Sequence, residues 1–422
     1  MERSTLTYKR PVLDSTGTRV NSLYYNAYNS DVSALECTFG YDYKVSLSSK
    51  SFGSSSTIQI PIGQFISSIV LHLRVRQVAA TEILCRSWAL AIISSLSYTI
   101  GASNSTQIVL QSESLAQELL AQLTSSEARS EMMKLAGEYV SGYATPGAGS
   151  QDAYVLLSVP QINDFCGHLP IDSSLLLNNI TLQIEFKSDP RSIYGGEETS
   201  HPDGFEIAEV IFRRGQLSNQ AASIKQEMIR SPDKKYNIPF IHTQNFTSPS
   251  FAGSGPSSDQ SIELTTFPNA DLVGVLMWVI KDKNKYPIGA TSPPNPFLLE
   301  ELSDIVVTLG GSTLFNYPAK SYKLTNMLVK DQSASYFEYC RVNSTNPFPC
   351  DPVNCYPIYF DFGFFRSACM GAESLQNTFR IPNNQLRVQF KTPDTDNCRM
   401  YCTYFVNGVC ELENGTSSIY IS

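Results

Sequence analysis

The chain has 422 residues, too many for one small core and enough for two domains of about 200 residues each. A hydrophobic share of 42% against 17% charged describes a globular protein with a large interior. The 31 basic and 39 acidic residues leave a net charge of −8, which argues against a surface that clamps nucleic acid throughout but allows a local basic arm.

Ser, Thr, Asn and Tyr are plentiful while Lys and Glu are scarce, which favours strands over helices. The 23 prolines and 24 glycines fit many strands joined by turns. The longest apolar runs, such as Trp88 to Ser94 and Leu272 to Ile280, fall far short of the roughly 20 residues of a membrane-spanning helix. The opening MERSTLTYKRPVLDSTGTRV lacks the apolar centre of a signal peptide, so a soluble chain made in the cytosol is expected.

In chain order, residues 1–34 read as an N-terminal arm. Over Met1 to Asn21 it carries Arg3, Lys9, Arg10 and Arg19 against only Glu2 and Asp14. CTFGYDYKVSL from Cys37, TIQIP from Thr57 and IVLHLRV from Ile69 read as strands, and SLSYTIGAS from Ser95 as a strand ending in a glycine turn.

A helical excursion follows at about 112–140. Leu115, Leu119 and Leu123 share one helix face, and Thr124 and Glu127 have capping-box spacing. The apolar side of its second helix would carry Ala128, Met132, Leu135 and Tyr139, with Gly137 near the end. DAYVLLSVP from Asp152, NNITLQIEF from Asn178 and FEIAEVIF from Phe205 return to strand. QLSNQAASIKQEMIRSPDKK, over 216–235, reads as a helical linker stopped by Pro232.

Beyond the linker the same blocks recur in the same order. A Gly/Ser-rich stretch leads into SIELT from Ser261, as another leads into TIQIP. VLMWVIK from Val275 answers IVLHLRV, DIVVTLGGS from Asp304 answers SLSYTIGAS, and NNQLRVQFKTPD from Asn383 answers NNITLQIEFKSD. YKLTNMLV from Tyr322 offers one short helix, and YPIYFDFGFF from Tyr356 and CRMYCTYFV from Cys398 add strands.

Four blocks in register over half the chain indicate a tandem duplication of a whole domain. The fold expected is all-β: two tandem antiparallel eight-stranded jelly-roll sandwiches with short helical insertions, at 35–215 and 236–422.

Seven of the ten cysteines fall in the last quarter. Disulfides are the favoured reading, with buried thiols and a zinc site as alternatives. Cys398 and Cys402, four positions apart in a strand, lie about 13 Å apart and cannot bond to each other. A hairpin at Asn407-Gly408 would bring Cys410 back to Cys402, so that pair is the expected bridge.

The ordered set of motifs resembles the double jelly-roll major capsid proteins of icosahedral double-stranded DNA viruses, the lineage of polinton-like viruses, virophages, large nucleocytoplasmic viruses and adenovirus hexons. HLPIDSSLLLNNITLQIEF from His168 resembles the end of that family's first jelly roll, and SWALAIISSLSYTIGAS from Ser87 its Trp-containing segment. The likeness covers roughly residues 35 to 422.

It implies a virion structural protein whose homotrimers form pseudohexagonal capsomers. Penton or minor capsid proteins would be partners, and the basic arm would face genome, inner membrane or a neighbouring subunit. A secreted or cell-surface double β-sandwich binding module, lectin- or adhesin-like, is the alternative.

No enzyme, cofactor or small-molecule substrate is expected. There is no G-x-S-x-G elbow, and LGGS lacks the lysine of a phosphate-binding loop. His168 reads as a structural histidine, and His201, Asp203 and Glu206 as a turn entering a strand ahead of any metal site. The sequons at Asn104, Asn179, Asn245, Asn343 and Asn414 are as many as chance allows in so Ser/Thr-rich a chain.

Overall fold

The computed structural model describes residues 37–59, 65–77, 83–85, 88–100, 107–111, 135–137, 149–157, 180–195, 201–217, 235–265, 271–282, 300, 302–309, 311–317, 358–361, 385–413 and 416–421, with residue pairs at 12–13, 19–20, 163–164, 167–168, 171–172 and 379–380. The expected helices over 112–134 and Tyr322 to Val329 lie outside them, and of the expected helical linker at 216–235 only Gln216, Leu217 and Lys235 are described, all three in strands.

The ladder strands of the first half are β1 (Cys37–Ser46), β2 (Ser55–Gln59), β3 (Phe65–Gln77), β4 (Ile93–Ile100), β5 (Gln107–Gln111), β6 (Gly149–Leu157), β7 (Ile180–Phe186) and β8 (Ile207–Leu217). One sheet runs β1-β8-β3-β6 and the other β2-β7-β4-β5, all antiparallel.

The second half repeats this with β9 (Lys235–Thr247), β10 (Gln260–Thr265), β11 (Asp271–Lys281), β12 (Ser303–Leu309), β13 (Ser312–Tyr317), β14 (Ile358–Asp361), β15 (Gln385–Lys391) and β16 (Asn397–Glu413). Its sheets run β9-β16-β11-β14 and β10-β15-β12-β13, the same order shifted by eight places. This is the two-sheet jelly roll, written twice. A further strand, β17 (Thr416–Ile421), pairs with the far end of β16.

The four repeated blocks fall on matching elements. TIQIP and SIELT enter β2 and β10, IVLHLRV and VLMWVIK enter β3 and β11, and the NN-blocks enter β7 and β15. The strands that lead into the two glycine motifs are β4 and β12. In the second copy Leu309 pairs with Ser312 across a two-residue loop whose Gly311 has φ +85°, as a tight hairpin requires.

Alternation sets the cores. Leu182, Ile184 and Phe186 on β7, and Leu386, Val388 and Phe390 on β15, are buried while their neighbours face out. Ile69, Leu71, Leu73 and Val75 of β3 and Ala208, Val210 and Phe212 of β8 complete the first core, each large apolar side chain contributing about 1.5–3 kcal/mol.

The Trp-containing segment departs from pure strand. Trp88–Ile92 forms a short helix, α1, with all five residues buried, before β4 begins. The end of the excursion returns to cover it: Ala89 N–H donates to Ala136 O at 3.2 Å. Gly137 has φ +101°, and a Cβ there would lie 2.4 Å from the Trp88 ring. Leu135, expected on the apolar side, is instead 55% exposed, and Ala136 is the buried neighbour. The contact with Trp88 decides the orientation of this turn, overriding the helical period.

Candidate functional site

The outer face of sheet β1-β8-β3-β6 concentrates the polar chemistry of the first half. On β3 the core takes the odd positions, so Val70, His72 and Arg74 point outward. Pairing places Glu209 and Tyr154 on either side of His72, and Ile207 and Asp152 on either side of Arg74.

His72 Nδ1 lies 2.8 Å from Glu209 Oε1, and Nε2 lies 2.8 Å from Asp152 Oδ1. Each ring nitrogen thus faces a carboxylate oxygen. Tyr154 stacks on it at 4.5 Å and 9°, leaving His72 6% exposed. Arg74 binds Asp152 through both Nε and a terminal nitrogen, at 2.8 and 2.9 Å, and Lys44 lies 3.5 Å from Glu209. The Arg74 bond holds the Asp152 carboxyl below its ordinary range, and the His72 bond does the same for Glu209. Arg74 and Lys44 answer the two carboxylates, and none of these side chains is a nucleophile paired to a base.

The second copy treats the same face differently. Trp278 occupies the position of His72, Tyr401 that of Glu209 and Ile280 that of Arg74. Trp278 stacks on Tyr401 at 5.9 Å and 17°, and all three residues are buried. The copies share a backbone plan and diverge in how their outer faces are finished.

The ends of the two sandwiches also differ. In the first copy Phe205 packs against Phe52 at 4.9 Å and Phe186 at 4.7 Å, and Tyr194 stacks on His201 at 5.1 Å. In the second, Lys281 is met by Glu300 at 3.3 Å, Asp396 at 3.5 Å and Asp394 in direct contact.

The HPDGFE segment is the turn the sequence suggested. Gly204 bridges to Ser51, and the chain enters β8 at Ile207. Among the described residues no three His, Cys, Asp or Glu side chains gather as metal ligands. His168 falls in a two-residue strand with Gly167 that pairs with Asn163–Asp164.

The expected Cys402–Cys410 bridge is corrected. β16 runs unbroken from Asn397 to Glu413, so Asn407-Gly408 makes no hairpin. β9 stays in register with β16 from Thr247↔Tyr401 to Lys235↔Glu413 and holds it extended. Cys402 and Cys410 therefore sit eight positions apart along one strand, about 27 Å, far beyond disulfide reach. Cys85, Cys398 and Cys402 are buried free thiols. Burial pushes Cys85 and Cys398 up to about 12, and Cys402 higher still.

Of the basic arm, Arg3, Lys9 and Arg10 lie outside the described residues. Arg19–Val20 pairs with Val12–Leu13.

Solved structures share this plan end to end. VP54 of PBCV-1, as fitted into a reconstruction of the virophage Sputnik, superposes with a TM-score of 0.65 at 12% identity, over 92% of this chain and 97% of that one. The fold is the double jelly roll of viral major capsid proteins. A chain of the Sputnik virophage structure gives 0.58 at 10% identity over 92% and 88%, and the Faustovirus major capsid protein 0.52 at 9% over 92% of both. No family model and no curated protein sequence matches. The double jelly roll is thus visible here through backbone topology at identities of 9–12%.

The His72 and Lys281 clusters were missed from sequence. Asp152 and Glu209 stand 80 and 137 residues from His72, and Asp394 stands 113 from Lys281, so no local spacing announces these meetings.

Proposed function

We propose that this chain is the major capsid protein of an icosahedral virus, acting as a structural subunit and not as an enzyme. The observation that carries this is the strand order, repeated in both halves and matched over 92% of this chain and 97% of VP54. Two sandwiches in one chain suit the main shell subunit. Residues 35–215 and 236–422 are the two building blocks in this reading, joined by 216–235.

The contact inside the chain supports a homotrimer. β5, the edge of one sheet of the first copy, lies against β9, an edge of the second copy. Contact between different edges of equivalent units is heterologous, and it leaves β13 and β1 as the matching free edges. Repeated between chains with a turn of about 60° per unit, the contact would close a six-unit ring of three copies, a pseudohexagonal capsomer. Capsomers then meet one another and penton or minor proteins. The N-terminal arm faces the interior, toward genome, inner membrane or a neighbour. The chain is made in the host cytoplasm and resides in the virion.

Light scattering on the purified protein, followed by electron microscopy of particles, tests this reading. Trimers and six-sided capsomers are expected. A stable monomer at micromolar concentration, with no trimer in assembled particles, overturns it.

A further inference from the structure

Lys281 closes β11 on the core-facing side, in line with Met277 and Val279, at the position filled in the first copy by the fully buried Val75. A lysine at the end of a core is costly unless its charge is used. Its side chain is 14% exposed and that of Glu300 6%. Glu300 is fixed there because its backbone N–H donates to Val279 O at 2.7 Å.

The third member, Asp394, sits in the turn between β15 and β16. Its Oδ2 touches Lys281 Nζ, while its Oδ1 accepts the backbone N–H of Asp396 at 3.0 Å. The turn itself is pinned, since Asp394 O accepts from Gly255 N at 3.0 Å and from Thr392 Oγ1 at 2.8 Å.

We propose that Lys281 and Asp394 form an intramolecular isopeptide bond, with Glu300 as the proton relay. An amine and a carboxyl held in contact by fixed backbone have the proximity that replaces a bimolecular encounter. The Asp396 N–H is placed to stabilise negative charge developing on Oδ1. Burial raises the Glu300 pKa and favours its acid form, which suits it to give and accept a proton beside Nζ.

The resting pair is ionic, and its carboxylates favour the ammonium form of Lys281. A proton passes from the ammonium through Glu300 to the Asp394 carboxyl. The freed amine attacks Cγ, Oδ2 leaves as water, and a C–N amide bond forms. The ammonium and carboxylate thus give one amide and one water, and nothing is oxidised or reduced. The bond would lock β11 to the turn before β16, at the end of the second sandwich where Phe251 packs against Phe390 at 5.9 Å.

Intact mass spectrometry of the full chain tests this, with fragmentation of the peptide joining Lys281 to Asp394. The expected mass is one water below that of the sequence. Glu300→Gln should restore the sequence mass with an unchanged circular dichroism spectrum, and Lys281→Arg should do so with the ion pair preserved. A wild-type chain at its sequence mass overturns the proposal whether or not the variants fold. A link to Asp396 overturns the assignment of Asp394, and a link persisting in Glu300→Gln removes Glu300 from the reaction.

Discussion

His72 Nδ1 and Glu209 Oε1 stand 2.8 Å apart on the outer face of the first sheet, bridging β3 to β8 across 137 residues of chain. The other ring nitrogen binds Asp152 on β6 at 2.8 Å, so one side chain ties three neighbouring strands. Replacing His72 with Ala takes a hydrogen-bond partner from the pair of carboxylates on either side of it. Asp152 keeps both bonds from Arg74 and Glu209 keeps Lys44 nearby, so a loss of about 1 kcal/mol is expected. Chemical denaturation of the purified protein measures it. A change within about 0.5 kcal/mol, the range of ordinary surface substitutions, would show that the bridge adds nothing.

The acid limb of stability should follow Asp152 and Glu209. Both have folded pKa values below their unfolded values of 3.8 and 4.5. Their stabilisation is therefore present above the unfolded values and lost as pH falls through the folded ones. Melting temperature should hold between pH 5 and pH 7 and drop below about pH 4. Asp152→Asn should flatten that drop; an acid limb identical to wild type would remove Asp152 from its cause.

Gly137→Ala should unsettle the turn over Trp88. The substitution imposes φ +101° on a residue with a side chain and sets a Cβ 2.4 Å from the indole. The backbone term alone is about 1–3 kcal/mol. With Trp88 and Trp278 the only tryptophans, a red shift in emission that is absent in a Trp88→Phe background reports the displacement. Unchanged emission and melting would mean that the turn relaxes without cost.

Thiol labelling should find Cys85, Cys398 and Cys402 silent in the native protein and reactive after unfolding, with no reductant needed. Each is buried and free, and burial disfavours the thiolate that reacts. Rapid native labelling at any of the three, or a requirement for reductant, contradicts this assignment.

Deletion of Met1 to Asn21 should leave the trimer intact and weaken particle assembly. The segment holds Arg3, Lys9, Arg10 and Arg19 in a chain of net charge −8, a contrast that suits contact with an acidic interior. Assembly yield at matched trimer concentration is the measurement, and an unchanged yield returns the arm to a solvated terminus.

The sequence by itself determined the duplication and the strands. LQIEF and LRVQF reveal their faces because side-chain direction in a strand alternates with a period of two, a local rule that needs no partner. The order of four blocks then sufficed to place β2, β3, β7 and their counterparts. Local rules failed where the deciding contact lay far along the chain. Asn407-Gly408 has the composition of a hairpin turn, yet pairing with β9 holds it extended inside β16, which removes the expected Cys402–Cys410 bridge. Leu135 has the period of a buried helix face, yet Trp88 takes Ala136 and Gly137 instead. His72 meets Glu209 in the ladder of β3 with β8, and Lys281 meets Asp394 in the turn that leads into β16, the ladder partner of β11. Such meetings depend on register between strands, and register is set by the packed core as a whole and by no single segment.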